Sequence, residues 1–127
     1  MNNKIFHTIC FTALFNLSAS FAGETQLELN QESHQKRLMV ETKLNQTIQQ
    51  YKKLIDPEYI NLFNQSEANW KKYIHSYCKF ISQKNIDGSI YPLVLNNCLA
   101  NKITQHTKAI NQLLKCAEGD LQCLPIN

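Results

Sequence analysis

The stretch Trp70–Cys98, WKKYIHSYCKFISQKNIDGSIYPLVLNNC, decides the fold. It reads as the end of one helix, a turn at Asp87-Gly88-Ser89, and the start of a second helix. With a turn over about residues 84–90, Cys78 and Cys98 sit at similar depth, roughly 9–12 Å up two antiparallel neighbours. Close-packed helices at matched levels bring Cα atoms to the about 4.4–6.8 Å that a disulfide requires. The expectation is a helical hairpin stapled by Cys78–Cys98.

Outward from the hairpin, the chain divides into three helices. Leu44, Ile48, Tyr51 and Ile55 recur at steps of four, three and four, which predicts a first helix over 38–55 with one apolar face. Asp56-Pro57 ends it, because a residue before proline avoids helical geometry; Asp56 then caps a second helix over 57–83, with Pro57 as its first residue. That helix carries a stripe of Tyr59, Phe63, Ser66, Trp70, Tyr73, Tyr77 and Phe80. A bulky stripe at this spacing reads as core, with an aromatic ligand platform as the alternative. Lys71, Lys72, Lys79 and Lys84 read as its solvated side. A third helix over 91–115 turns Leu95, Cys98, Leu99, Ile103, His106, Ile110, Leu113 and Leu114 inward, and Gly119 favours a terminating turn. No alternating strand pattern and no internal repeat is present, so the fold class is all-α: a small antiparallel three-helix hairpin or bundle held by two disulfides.

The N-terminal residues MNNKIFHTICFTALFNLSASFAG have the three-part layout of a secretory signal. Lys4 supplies the positive region, Ile5–Leu17 the apolar one, and Ser20 and Ala22 the small residues before a cut ahead of Gly23. The apolar run is shorter than the about 20 residues that cross a membrane. Cys10 lies too early, and after the wrong residues, for a lipid attachment. The domain organisation expected is therefore a cleaved signal over 1–22, a polar arm over 23–37 (GETQLELNQESHQKR), and a helical domain over 38–127.

The exported chain would keep four cysteines, Cys78, Cys98, Cys116 and Cys123, and an even count in a small exported domain reads as two disulfides. Four cysteines allow three pairings. Matched levels favour Cys78–Cys98, and CAEGDLQC closes a tight loop as Cys116–Cys123.

The whole chain has 13 Lys+Arg against 10 Asp+Glu; without Lys4, twelve against ten leave +2. Arg37 is the only arginine, which gives no nucleic-acid footprint. Three glycines, Gly23, Gly88 and Gly119, make no phosphate-cradling loop. Serine-hydrolase, zinc-protease and calcium-loop motifs are missing, so no catalytic residue, cofactor or metal is assigned and the protein is not read as an enzyme. His75, Cys78, Cys98 and His106 do not converge as zinc ligands: His106 lies about 12 Å along the helix from Cys98, while His75 is about 4.5 Å from Cys78.

From Trp70 to Leu113 the chain resembles the LprI-type lysozyme-inhibitor domain, a small exported bacterial module. The residues that carry the resemblance are Leu44-Asn45, Phe63, Ser66-Glu67, Trp70, Tyr73, Cys78, Gly88-Ser89-Ile90 and Cys98-Leu99, and it spans about 38–114. Ile74 and His75 replace an Arg-Asp pair, His106 an arginine, and Ile48 an aromatic residue. Those departures imply a weakened charged pairing between the second and third helices. The resemblance implies a periplasmic or secreted protein that binds a protein partner, a lysozyme or related wall hydrolase, and blocks it sterically. The hairpin tip, Asp87, Gly88 and Ser89, is the candidate binding element. The rival reading is an envelope interaction module for peptidoglycan, lipid phosphates, an effector or an immunity-type partner.

Overall fold

The computed structural model describes residues 24–116, 119–121 and 123. Among these residues three helices form the fold: α1 (Gln26–Lys52), α2 (Pro57–Ser82) and α3 (Tyr91–Leu113), with one 3-10 turn, Gln83–Asn85, between α2 and α3. Among the described residues there is no strand, and the class is all-α as expected. The expected signal segment, 1–22, lies outside the described residues.

Contacts climb in the same order along α1 and α3. Asn30 reaches Ser89, Ser33 reaches Asn96, and Leu44 meets Ile103 at one cleft. These two helices therefore run parallel. α2 runs against both, with Cys78 joined to Cys98 and Glu67 to His106. α1 packs chiefly along α3, and α2 leans on α3 more lightly. The core is Leu44, Ile48, Tyr51 and Ile55 from the first segment, Ile74 and Cys78 from α2, and Leu99, Ile103 and Ile110 from α3. Tyr51 and Phe63 meet edge to face, ring centroids 5.2 Å apart, and close the α1–α2 side of that core. Burial pushes the Tyr51 phenol pKa up.

The polar arm expected over 23–37 is corrected: from Gln26 onward it is helix. Thr25 and Glu28 form a capping box, in which the Glu28 amide donates to Thr25 Oγ1 at 3.3 Å and the Thr25 amide donates to Glu28 Oε2 at 2.7 Å. The Thr25 backbone amide, and after it the Thr25 hydroxyl, hold the Glu28 carboxyl below the usual glutamate value. The next turns dock on α3 through polar groups. Asn96 Nδ2 donates to Ser33 Oγ at 3.3 Å, and Arg37 Nε donates to Asn96 Oδ1 at 3.0 Å. A polar seam leaves no apolar period to read, which is why the helix starts twelve residues before the expected boundary at 38.

α1 ends at Lys52, and the Lys53 amide closes the last turn on Gln50 and Tyr51. Asp56 caps α2 by accepting from the Glu58 amide at 3.1 Å, with Pro57 in the first turn, as expected. The aromatic stripe of α2 is core only in part. Phe63, Trp70 and Tyr77 pack against the core, while Tyr73 and Phe80 are exposed. The bond from Cys78 to Cys98 sets the rotation of the helix, and the face at i, i+4 from it, Ile74 and Ser82, goes inward instead.

Both disulfides pair as expected. Cys78–Cys98 and Cys116–Cys123 each have Cα atoms 5.7 Å apart. Gly119, inside the shorter loop, has a φ of +91°, the left-handed region that favours glycine.

Candidate functional site

The hairpin tip is a chain of tight turns. The amides of Ile86, Gly88 and Tyr91 donate to the carbonyls of Gln83, Asn85 and Gly88 at 3.2, 2.9 and 3.0 Å. Space at Gly88 is tight: a Cβ there would lie 3.3 Å from the Asn85 carbonyl oxygen. Residues 86–90, including Asp87, Gly88 and Ser89, are exposed. The tip is also tied to α1, because Asn30 Nδ2 donates to the Ser89 carbonyl at 2.9 Å.

That bond brings the start of α1 to the tip end of the molecule and gathers charge there. Residues 24–34 and 82–90 hold four carboxylates, Glu24, Glu28, Glu32 and Asp87, with Lys84 as the single lysine or arginine. The acidic end belongs to a chain whose net charge is +3. Leu27, Ile86 and Ile90 stand exposed in the same segments. The sequence reading singled out Asp87 and missed the three glutamates. The signal available for them was the Thr25-x-x-Glu28 capping pattern, which starts a helix early enough to reach the tip.

A second feature lies where α2 crosses α3. His106 Nε2 sits 2.8 and 3.0 Å from the two carboxylate oxygens of Glu67, and its ring stacks on Trp70 with centroids 3.9 Å apart at 16°. Glu67 is buried, so this pair satisfies a carboxylate that would otherwise lose its water unpaired. A cleft of 180 Å³ opens between α1 and α2, floored by Leu44, Ile74, Ile103 and Trp70 and rimmed by Glu41 and Lys71. Arg37 holds the Glu41 carboxylate. The lining contains no serine, threonine or cysteine to act as a nucleophile. Cys78 and Cys98 are consumed by their disulfide, and among the described residues no three His, Cys, Asp or Glu side chains cluster as metal ligands. No helix of the described residues is long and apolar enough to cross a membrane.

The family profile described as lysozyme inhibitor LprI matches residues 18–110. The chain belongs to the LprI lysozyme-inhibitor family. Neither a curated protein nor a solved structure matches it.

Within this LprI domain the unusual positions have definite places. Ile74, where the resemblance leads one to expect arginine, is a core residue at 2% exposure. His75 is exposed. His106, where the resemblance leads one to expect arginine, meets Glu67 across the interface of the second and third helices. The partners are 39 residues apart and on different helices, so no local spacing announces them. The two disulfides, of which Cys78–Cys98 lies within the matched residues, fit an oxidising, non-cytoplasmic compartment.

Proposed function

We propose that the protein is exported to the periplasm or beyond after loss of residues 1–22. There it inhibits a lysozyme, or a related wall hydrolase, by laying its tip end over the glycan cleft. Membership of the LprI family supports the class of activity. The observation that carries the mode is the segregation of charge. Lysozymes of animals are strongly cationic, and a net charge of +2 on the exported chain gives no attraction as a whole. Four carboxylates at one end do, because association is steered by the patch that leads the encounter. The tight turns at the tip and the Asn30–Ser89 bond hold that end in shape, so little conformational entropy is lost when it docks. Blocking requires no catalytic residue of the inhibitor.

The test is the rate of association of the purified protein with a cationic lysozyme in stopped flow, at low and at physiological salt. Exchanging Glu32→Lys together with Asp87→Lys, both exposed, slows association about tenfold or more at low salt and flattens its salt dependence. Circular dichroism stays that of the unchanged protein. An unchanged rate and salt slope would make the tip a connector only. Absence of any binding would leave the envelope interaction module as the better reading.

A further inference from the structure

Lysozyme binding at the tip leaves the outer face of α2 without a role. Leu62, Tyr73 and Phe80 are 67%, 57% and 77% exposed. At 100° per residue, positions 62, 73 and 80 fall within about 20° of one another, one line about 27 Å long on the helix surface. Asn69 and Ser76, both exposed, lie close to the same line between them. Tyr77 flanks it, its ring 5.8 Å from that of Tyr73, and Lys102 of α3 places Nζ 4.6 Å over the Tyr77 ring. Lys72 and Lys79 border the other side. From Ala68 to Ser82, α2 carries three lysines, Lys71, Lys72 and Lys79, and no acidic residue. Exposed apolar side chains aligned on one helix face offer a surface on which a partner can lie.

We propose that this face binds an anionic polysaccharide of the cell-wall type, with saccharide rings laid along Tyr73 and Phe80. One face of a pyranose ring presents C–H groups of slight positive charge, which suit the negative face of an aromatic ring. The Asn69 amide and Ser76 hydroxyl can both donate and accept, as sugar hydroxyls require. Lys72, Lys79 and Lys102 meet carboxylates carried by the polymer. Charge selects this occupant over a basic protein. The interleaved Asn69 and Ser76 select it over a lipid surface, which rewards an unbroken apolar face. The acidic tip lies at the end of the helix and stays free, so the inhibitor can rest on the polymer that a lysozyme attacks.

Co-sedimentation with purified peptidoglycan sacculi tests the proposal, run beside chitin and beside vesicles of phosphatidylglycerol and phosphatidylethanolamine. The protein pellets with sacculi, less with neutral chitin, and less as salt rises. Tyr73→Ala with Phe80→Ala weakens the apparent affinity about tenfold or more, and Lys72→Glu with Lys79→Glu does the same. The Glu32→Lys, Asp87→Lys protein pellets at least as well as the unchanged one, which separates this face from the tip whether or not a lysozyme is bound there. Circular dichroism controls for folding, and all of the substituted side chains are exposed. Protein left in the supernatant with sacculi would overturn the proposal, and so would pelleting unaffected by the aromatic changes. Capture by vesicles and not by sacculi would assign the face to lipid instead, and pelleting without any added polymer would assign it to self-association.

Discussion

Replacing Cys78 and Cys98 together with alanine lowers the free energy of unfolding by about 2–5 kcal/mol. Closing a loop of this length removes about 3 kcal/mol worth of unfolded-chain entropy, and the fully buried Cys78 adds lost packing. The effect is large here because of how α2 is held. α1 and α3 pack along each other, but α2 is joined to them more sparsely, by Ile74, the aromatic contacts, the Glu67–His106 pair and this bond. In a small domain each kcal/mol moves the melting temperature by about 4–8 °C, so the shift is about 8 °C or more. Urea titration followed by circular dichroism measures it, and an unchanged midpoint would contradict the account. Removing Cys116 and Cys123 opens a shorter loop and costs less.

His106→Ala is expected to cost about 3 kcal/mol, more than a half-buried histidine ordinarily contributes. The change leaves the Glu67 carboxylate buried with its partner gone and takes away the ring stacked on Trp70. Most of the loss is the stranded charge, so removing the charge as well restores stability. The double change Glu67→Leu with His106→Leu lies much closer to the unchanged protein than His106→Ala does. A double-mutant cycle in urea reads the difference. Trp70 is the one tryptophan in the chain, so its fluorescence reports the loss of the stacked ring directly.

Much of this architecture is legible in the sequence where apolar spacing writes it. Leu44, Ile48 and Tyr51 mark the inner face of α1, Asp56-Pro57 marks the corner, and matched depth pairs Cys78 with Cys98. The front of α1 is not legible in this way because its seam with α3 is made of Asn30, Ser33, Arg37 and Asn96, side chains that look solvated in one dimension. Tyr73 and Phe80 mislead for the opposite reason. Their spacing is that of a core stripe, but the disulfide turns the neighbouring face, Ile74 and Cys78, inward. The candidate site suffers from the first difficulty. Asp87 shows itself beside Gly88 in a turn, whereas Glu24, Glu28 and Glu32 join it only because α1 extends back to the tip.

Inhibition through the acidic end is the proposal on which the functional reading turns. The most direct measurement is the loss of turbidity of a bacterial cell-wall suspension caused by a cationic lysozyme, titrated with the purified protein and with the Glu32→Lys, Asp87→Lys variant. The account predicts that the unchanged protein slows lysis in proportion to its concentration, and that the variant needs about tenfold more to do the same at low salt. Equal inhibition by the two proteins, or lysis that proceeds undisturbed by the unchanged one, would contradict it.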